Sequence, residues 1–175
     1  MRWIPVLALL AFGASGLAAQ TGPVAPRDVQ RRQLEWQKNT MLQMAEAMPE
    51  NLYSDKVTPE QRSFAEQLLH AAGFAPMVCG QFIAGTEPSL PDAEAAGASR
   101  ATMVGYVTAA YDFCLEALAG QSDEDRQTIV DFFGMMSIPK AETLDHVHLH
   151  TVWTLGQVVA NFRKHGMAPP EFGFF

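Results

Sequence analysis

Histidine is the residue type that could do chemistry in this chain. Four of its five histidines fall between His146 and His165, three of them within five residues, in the stretch LDHVHLHTVWTLGQVVANFRKHGMAPP at 144–170. His146 and His150 are four apart, so on a helix they stand one above the other on a single face, and Thr154 continues that face by a turn. His148 lies about 200° round the helix from His146 at about 100° per residue, and so points elsewhere. Two imidazoles at this spacing plus one distant ligand are a recurrent way of holding zinc or a similar ion. The distant ligand would be His70, in the middle of an earlier apolar stretch. Spacing alone leaves the pair open, as His146 with His150 or His150 with Thr154. The plainer readings are a chance pair within a histidine cluster and, for His70, a hydrogen-bonded core residue.

Helices must position these side chains. Apolar residues near helical spacing run from Asp28 to Met48, where Pro49 ends the first helix; Met41, Met44 and Met48 read as core. Thr58-Pro59-Glu60-Gln61 reads as a capping box opening a second helix, which Gly73 and Pro76 kink before Met77–Ile83 continues it. Gly85 to Gly97, with three acids and two prolines, reads as a loop. A third helix is expected over Ala101–Ala119, and Ser122 can cap a short one. Gln127 to Ile138 reads as an irregular crossover that could be extended. Ser137-Ile138-Pro139 starts the fourth helix, and Gly166 suits its left-handed C-terminal cap. These elements predict an all-α four-helix bundle with a long crossover before the last helix.

The first 19 residues read as a signal peptide: Arg2 supplies a short basic region, Ile4–Leu10 begins the apolar one, and small residues follow. Residues 20–27 form a leader, 28–170 the bundle and 171–175 a tail, whose Phe172, Phe174 and Phe175 either fold back or mark a dimer surface. Removing Arg2 with the signal leaves 11 basic against 19 acidic residues, a net charge of −8. That balance argues against a nucleic-acid surface. No other stretch is long and apolar enough to span a membrane, so the expectation is a periplasmic or extracellular protein without stable membrane association. Cys79 and Cys114 belong to no CxxC or CxxCH pattern. They are either a thiol pair or a disulfide between the second and third helices, and the inferred compartment favours the disulfide.

Two segments carry a family resemblance. SFAEQLLHAAGF at 63–74 follows the pattern F-G-E-x-L-x-H-x-A from Phe64 to Ala72, with Ala65 for the glycine. The stretch at 144–170 keeps Gly156-Gln157, Asn161-Phe162-Arg163, Gly166 and Pro169-Pro170 in the expected frame. On these residues the chain resembles the DinB-like superfamily, bacterial four-helix bundles with a histidine metal site. The resemblance also implies the cysteine arrangement, since exported members often carry one cysteine near the end of the second helix and another in the third. It places the family's ligands on His70, His150 and Thr154. The first two match, but the family has histidine where this chain has Thr154, and a neutral hydroxyl is a poor zinc ligand. His146 is a substitute by composition, displaced one turn along the bundle. Asp112 and Glu116 are carboxylate candidates whose plainer reading is solvated helix acids, and Trp153 reads as buried packing or a pocket wall. The implied cofactor is divalent zinc or nickel, and the implied partner a small-molecule substrate. Three functions follow: a metal-dependent hydrolase-type enzyme with a degenerate site, a binding or structural module that has lost the metal, and a thiol transferase.

Overall fold

The computed structural model describes residues 25–171, so the expected signal peptide, most of the leader and the terminal phenylalanines lie outside the described residues. Helix α1 (Pro26–Ala47) starts on a proline, whose fixed backbone angle suits a first turn. Helix α2 (Phe64–Val78) follows, then a π-helical turn at Cys79–Ala84. A short helix, α3 (Ala93–Ala96), interrupts the expected loop. After α4 (Arg100–Gly120) come the short α5 (Asp123–Gln127) and the antiparallel strands β1 (Ile129–Phe132) and β2 (Met136–Pro139). The chain closes with α6 (Lys140–Lys164). Helix α2 lies against α4 and α6, and α1 lies against α4 and α6, so the four long helices form a ring in the order α1, α4, α2, α6. Among the described residues, no helix is long and apolar enough to cross a membrane.

The core takes one stripe from each long helix. Leu34, Met41, Met44 and Met48 meet Phe64 and Leu68, Met103, Val107 and Leu118, and Leu144, Val147, Leu155, Val158 and Phe162. Met41, Met44 and Met48, the last just past the end of α1, are therefore packing residues. Phe64 joins the layers, with its ring edge-on to Phe162 at 5.9 Å and tilted against Tyr53 at 5.2 Å.

Three local differences from expectation have physical causes. Helix α2 does not begin at Thr58. That segment is a turn, with the Gln61 amide donating to the Thr58 carbonyl, and the capping box is Ser63 with Glu66. The amides of Phe64 and Ala65 donate to the carbonyls of Asp55 and Tyr53, which serves first-turn donors that a helix cannot serve internally. The helix continues past Pro76 as expected, and the difference lies in the form of the continuation. The chain absorbs the proline and widens into the π turn just after, where Gly80 lets the loop approach: a Cβ there would lie 2.8 Å from the Thr86 carbonyl oxygen. The crossover is ordered as a hairpin, its turn made by Phe133 and Gly134, both at positive φ (56° and 70°) as a type I′ turn requires.

The far end of α6 closes as expected. Gly166 adopts φ 68°, its amide donates to the Arg163 carbonyl and that of Met167 to the Phe162 carbonyl, the paired bonds of a Schellman cap. Lys164 and His165 both reach Asp55, and Asn161 donates to the Asp55 carbonyl. The tail of the last helix is thereby tied to the connection between the first two. Cys79 and Cys114 form a disulfide, with Cα atoms 5.4 Å apart, that fixes the π turn to α4.

Candidate metal centre

Helices α2 and α6 run in opposite directions, and their facing side chains meet in pairs along one groove. Gln67 donates to Gln157 at 3.2 Å, and at the next level His70 meets His150. The two imidazoles point at each other through Nε2, 3.2 Å apart, with ring centroids separated by 5.0 Å. Phe74, one turn beyond His70, covers His150 with ring centroids 4.2 Å apart. The Nδ1 atom of His150 is buried with no hydrogen-bond partner. Leaving such an atom unpaired costs about 1–3 kcal/mol.

The separation can be tested against an ion. Zinc–imidazole bonds of about 2.0–2.1 Å put two ligand nitrogens about 3.3 Å apart at a tetrahedral angle, and about 2.9 Å apart at a right angle. The observed 3.2 Å lies between these values, so both Nε2 atoms fit one divalent ion without moving apart. Protonation also favours ligation. Burial, followed by the charge of Arg62, holds His70 below the ordinary histidine value. Burial, then His70, then Arg62 do the same for His150. Both rings are therefore neutral at neutral pH, the form that binds metal. The same Arg62 charge opposes a cation and favours an anionic group at the groove.

The third position is different. Thr154 is buried on the same face of α6, but its hydroxyl donates to the His150 carbonyl at 2.8 Å, a bond within the helix. His146 is not gathered to the pair: its ring stacks on Phe132 of the hairpin, centroids 4.9 Å apart. Asp112 is occupied by Lys38 at 2.6 Å, and Glu116 is exposed on the outer side of α4 beside Phe113. Among the described residues, no group of three His, Cys, Asp or Glu side chains converges as a metal cluster. Trp153 corrects the expectation of a buried or pocket-lining ring. It stands 77% exposed, because with Leu149 it lies on the side of α6 away from the buried stripe of Val147, Thr151, Thr154 and Val158.

Sequence reading missed the polar chain inside the bundle. The Tyr111 hydroxyl, on α4, donates to Oε1 of Gln37 at 3.1 Å, and Nε2 of that amide contacts Nδ1 of His148 at 3.1 Å. Thr151 stands 3.4 Å from the same hydroxyl. The signal was present: Gln37 interrupts the apolar stripe of α1 between Leu34 and Met41, where a polar side chain needs a buried partner.

A model of the DinB superfamily matches residues 33–157. Among solved structures, the crystal structure of a DinB-like protein from Bacillus cereus ATCC 10987 superposes with a TM-score of 0.70 at 19% identity, covering 82% of this chain and 95% of that one. At that identity the likeness speaks for the fold alone. No curated protein matches the sequence.

Proposed function

The chain belongs to the DinB superfamily, and from that premise we propose that it is a divalent-metal-binding protein of hydrolase type whose centre has been reduced to two histidines. The 3.2 Å approach of the His70 and His150 Nε2 atoms carries this reading. These two neutral imidazoles would hold zinc or nickel, leaving the remaining positions to water or substrate. When bound, such an ion supplies Lewis acidity towards a substrate oxygen and lowers the pKa of water.

The chain's own residues do the rest. Phe74 keeps water from one face of His150 and limits its rotation. Arg62, close enough to depress both histidines, draws an anionic group of a small-molecule substrate towards the groove. The Cys79–Cys114 bridge supports a working place in an oxidising compartment, reached by export, since disulfides are rare in the cytosol. It also removes both thiols from any role in thiol transfer.

Thr154 favours a second reading, a bundle that has lost its metal and acts as a binding or structural module, whether alone or as a homodimer. Two imidazoles without a third strong donor hold an ion weakly, and the Thr154 hydroxyl is already used within its helix. Metal content separates the two. Mature chain purified without a histidine tag or chelator should carry zinc or nickel by elemental mass spectrometry, or be thermally stabilised on adding either, and His70→Ala should abolish the effect. No bound metal and no stabilisation would leave the second reading standing.

A further inference from the structure

A pocket of about 440 Å³ opens where α1, α5 and α6 meet the end of β2. Its α6 wall is one continuous face, since Glu142, Asp145, His146 and Leu149 recur at positions i, i+3, i+4 and i+7. Volumes of this order hold small ligands, and such sites combine an apolar wall with a few placed polar groups.

The polar group at its base is Arg126 of α5, only 4% exposed. Among the described residues it forms no ion pair. Its guanidinium donates through Nη2 to Oε1 of Gln30 at 2.7 Å and through Nη1 to Oε1 of Gln121 at 3.4 Å, both neutral oxygens. Its Nε makes no hydrogen bond among the described residues yet is not sealed from solvent, and the side chain lines the pocket, so this donor serves the opening. Burial, then the charge of Arg27, holds the Arg126 pKa below the ordinary arginine value, against the pull of Asp123 and Asp145. Arginine stays charged all the same, so a buried cation here lacks a direct counter-charge.

The opposite charge stands one amide away. The Nε2 end of Gln30 donates to the Ala141 carbonyl at 2.7 Å and to Oδ1 of Asp145 at 3.2 Å. Gln30 therefore bridges the guanidinium and the Asp145 carboxylate, and one small molecule can touch both. Asp145 and Glu142 also form no ion pair among the described residues. Beside them Leu149 stands 66% exposed, and Pro26 and Pro139 complete the apolar walls.

We propose that this pocket binds an α-amino acid with an apolar side chain. The carboxylate pairs with the guanidinium fork of Arg126, and the ammonium group meets Asp145, with Glu142 adding to the negative field. The apolar side chain covers Leu149 and Pro139. The two acids repel a simple anion and the guanidinium repels a simple cation, so the pocket selects a molecule that carries both charges. The site is separate from the His70–His150 pair, which faces the groove between α2 and α6.

The test is calorimetric titration of the mature chain with L-leucine. The controls are 4-methylpentanoate, which lacks the ammonium group, and 3-methylbutylamine, which lacks the carboxylate. Leucine should bind saturably, and each truncated probe about tenfold more weakly or worse, the range of one charge-assisted hydrogen bond. Asp145→Asn keeps an oxygen for Gln30 but removes the charge. It should weaken leucine by a similar factor and leave 4-methylpentanoate unchanged. Arg126→Met, with folding checked by circular dichroism, should bind leucine no better than 3-methylbutylamine; where that variant fails to fold, Asp145→Asn and the truncated probes decide. His70→Ala should leave leucine binding intact. No saturable binding of leucine, or equal binding of leucine and either truncated probe, would overturn the proposal. So would an Asp145→Asn variant that leaves leucine unaffected or weakens leucine and 4-methylpentanoate alike. Loss of leucine binding in His70→Ala would place the probe in the other groove and overturn it as well.

Discussion

The disulfide gives the most calculable perturbation, replacement of both cysteines in Cys79→Ala/Cys114→Ala. The bridged residues are 35 apart in sequence, and both are fully buried. For a closed loop of about 36 residues, chain-entropy restriction of the unfolded state is about 13 cal/mol/K, or about 4 kcal/mol at 25 °C. Exchanging two buried sulfurs for hydrogens adds a packing loss of about 1 kcal/mol. The double variant should therefore lose about 4–5 kcal/mol, a large share of the roughly 5–15 kcal/mol typical of a domain. Guanidinium denaturation followed by far-ultraviolet circular dichroism measures it. Release of the unfolded loop should also steepen the dependence on denaturant, because the reduced chain exposes more surface. Wild type refolded in reductant should behave like the variant. A loss below about 1 kcal/mol with an unchanged slope would refute the argument that the bridge acts by restricting the unfolded chain.

Other perturbations probe other parts of the molecule. Gly80→Ala places a Cβ 2.8 Å from a backbone carbonyl that must then move, so thermal denaturation should report a loss of about 1–3 kcal/mol; an unchanged midpoint would show that the loop yields freely. Thr154→His adds the third imidazole, and calorimetric titration with nickel should show tighter binding than wild type, an outcome that equal affinities would exclude. Burial depresses His70, His148 and His150 in the folded state, so the unfolded chain binds more protons at these sites. Their contribution is complete above the unfolded histidine value of about 6.5 and declines as pH falls through and below it. Melting temperature in chelator should accordingly drop between about pH 7 and pH 5, and a flat or rising profile would contradict the assignment.

The bundle was legible because its apolar residues recur with helical spacing, and because Gly166 and the prolines mark ends that local chemistry alone decides. Where a local signal misled, tertiary contacts decided. Thr58–Gln61 reads as a capping box, yet the helix starts after Ser63, where the carbonyls of Tyr53 and Asp55 take the amides of Ala65 and Phe64. The hairpin escaped notice because its turn uses Phe133 at positive φ, a conformation that phenylalanine rarely adopts and that here carries the ring against Phe82, centroids 4.9 Å apart. At the site, spacing alone left His146 and Thr154 as alternative partners of His150 on α6, with His70 as the distant ligand. What sets His146 apart is its stacking on Phe132, a contact made through a strand that periodicity does not disclose. The Tyr111–Gln37–His148 chain joins residues from three helices, and no local pattern announces such a meeting.

The antiparallel pairing of α2 with α6 also sets the order in which the molecule can be completed. The imidazole facing His70 is 80 residues further along the chain, and Asp55 waits still longer for Lys164 and His165. At roughly 5–20 residues per second, a ribosome needs about 4–16 s to supply that second imidazole. Through this interval the inner faces of α1, α2 and α4 have no fourth wall, and the groove beside α2 lacks one side. A nascent chain halted before α6 would display an open apolar trough and an unpaired His70, so it is in these seconds that chaperone capture and misassociation compete with folding.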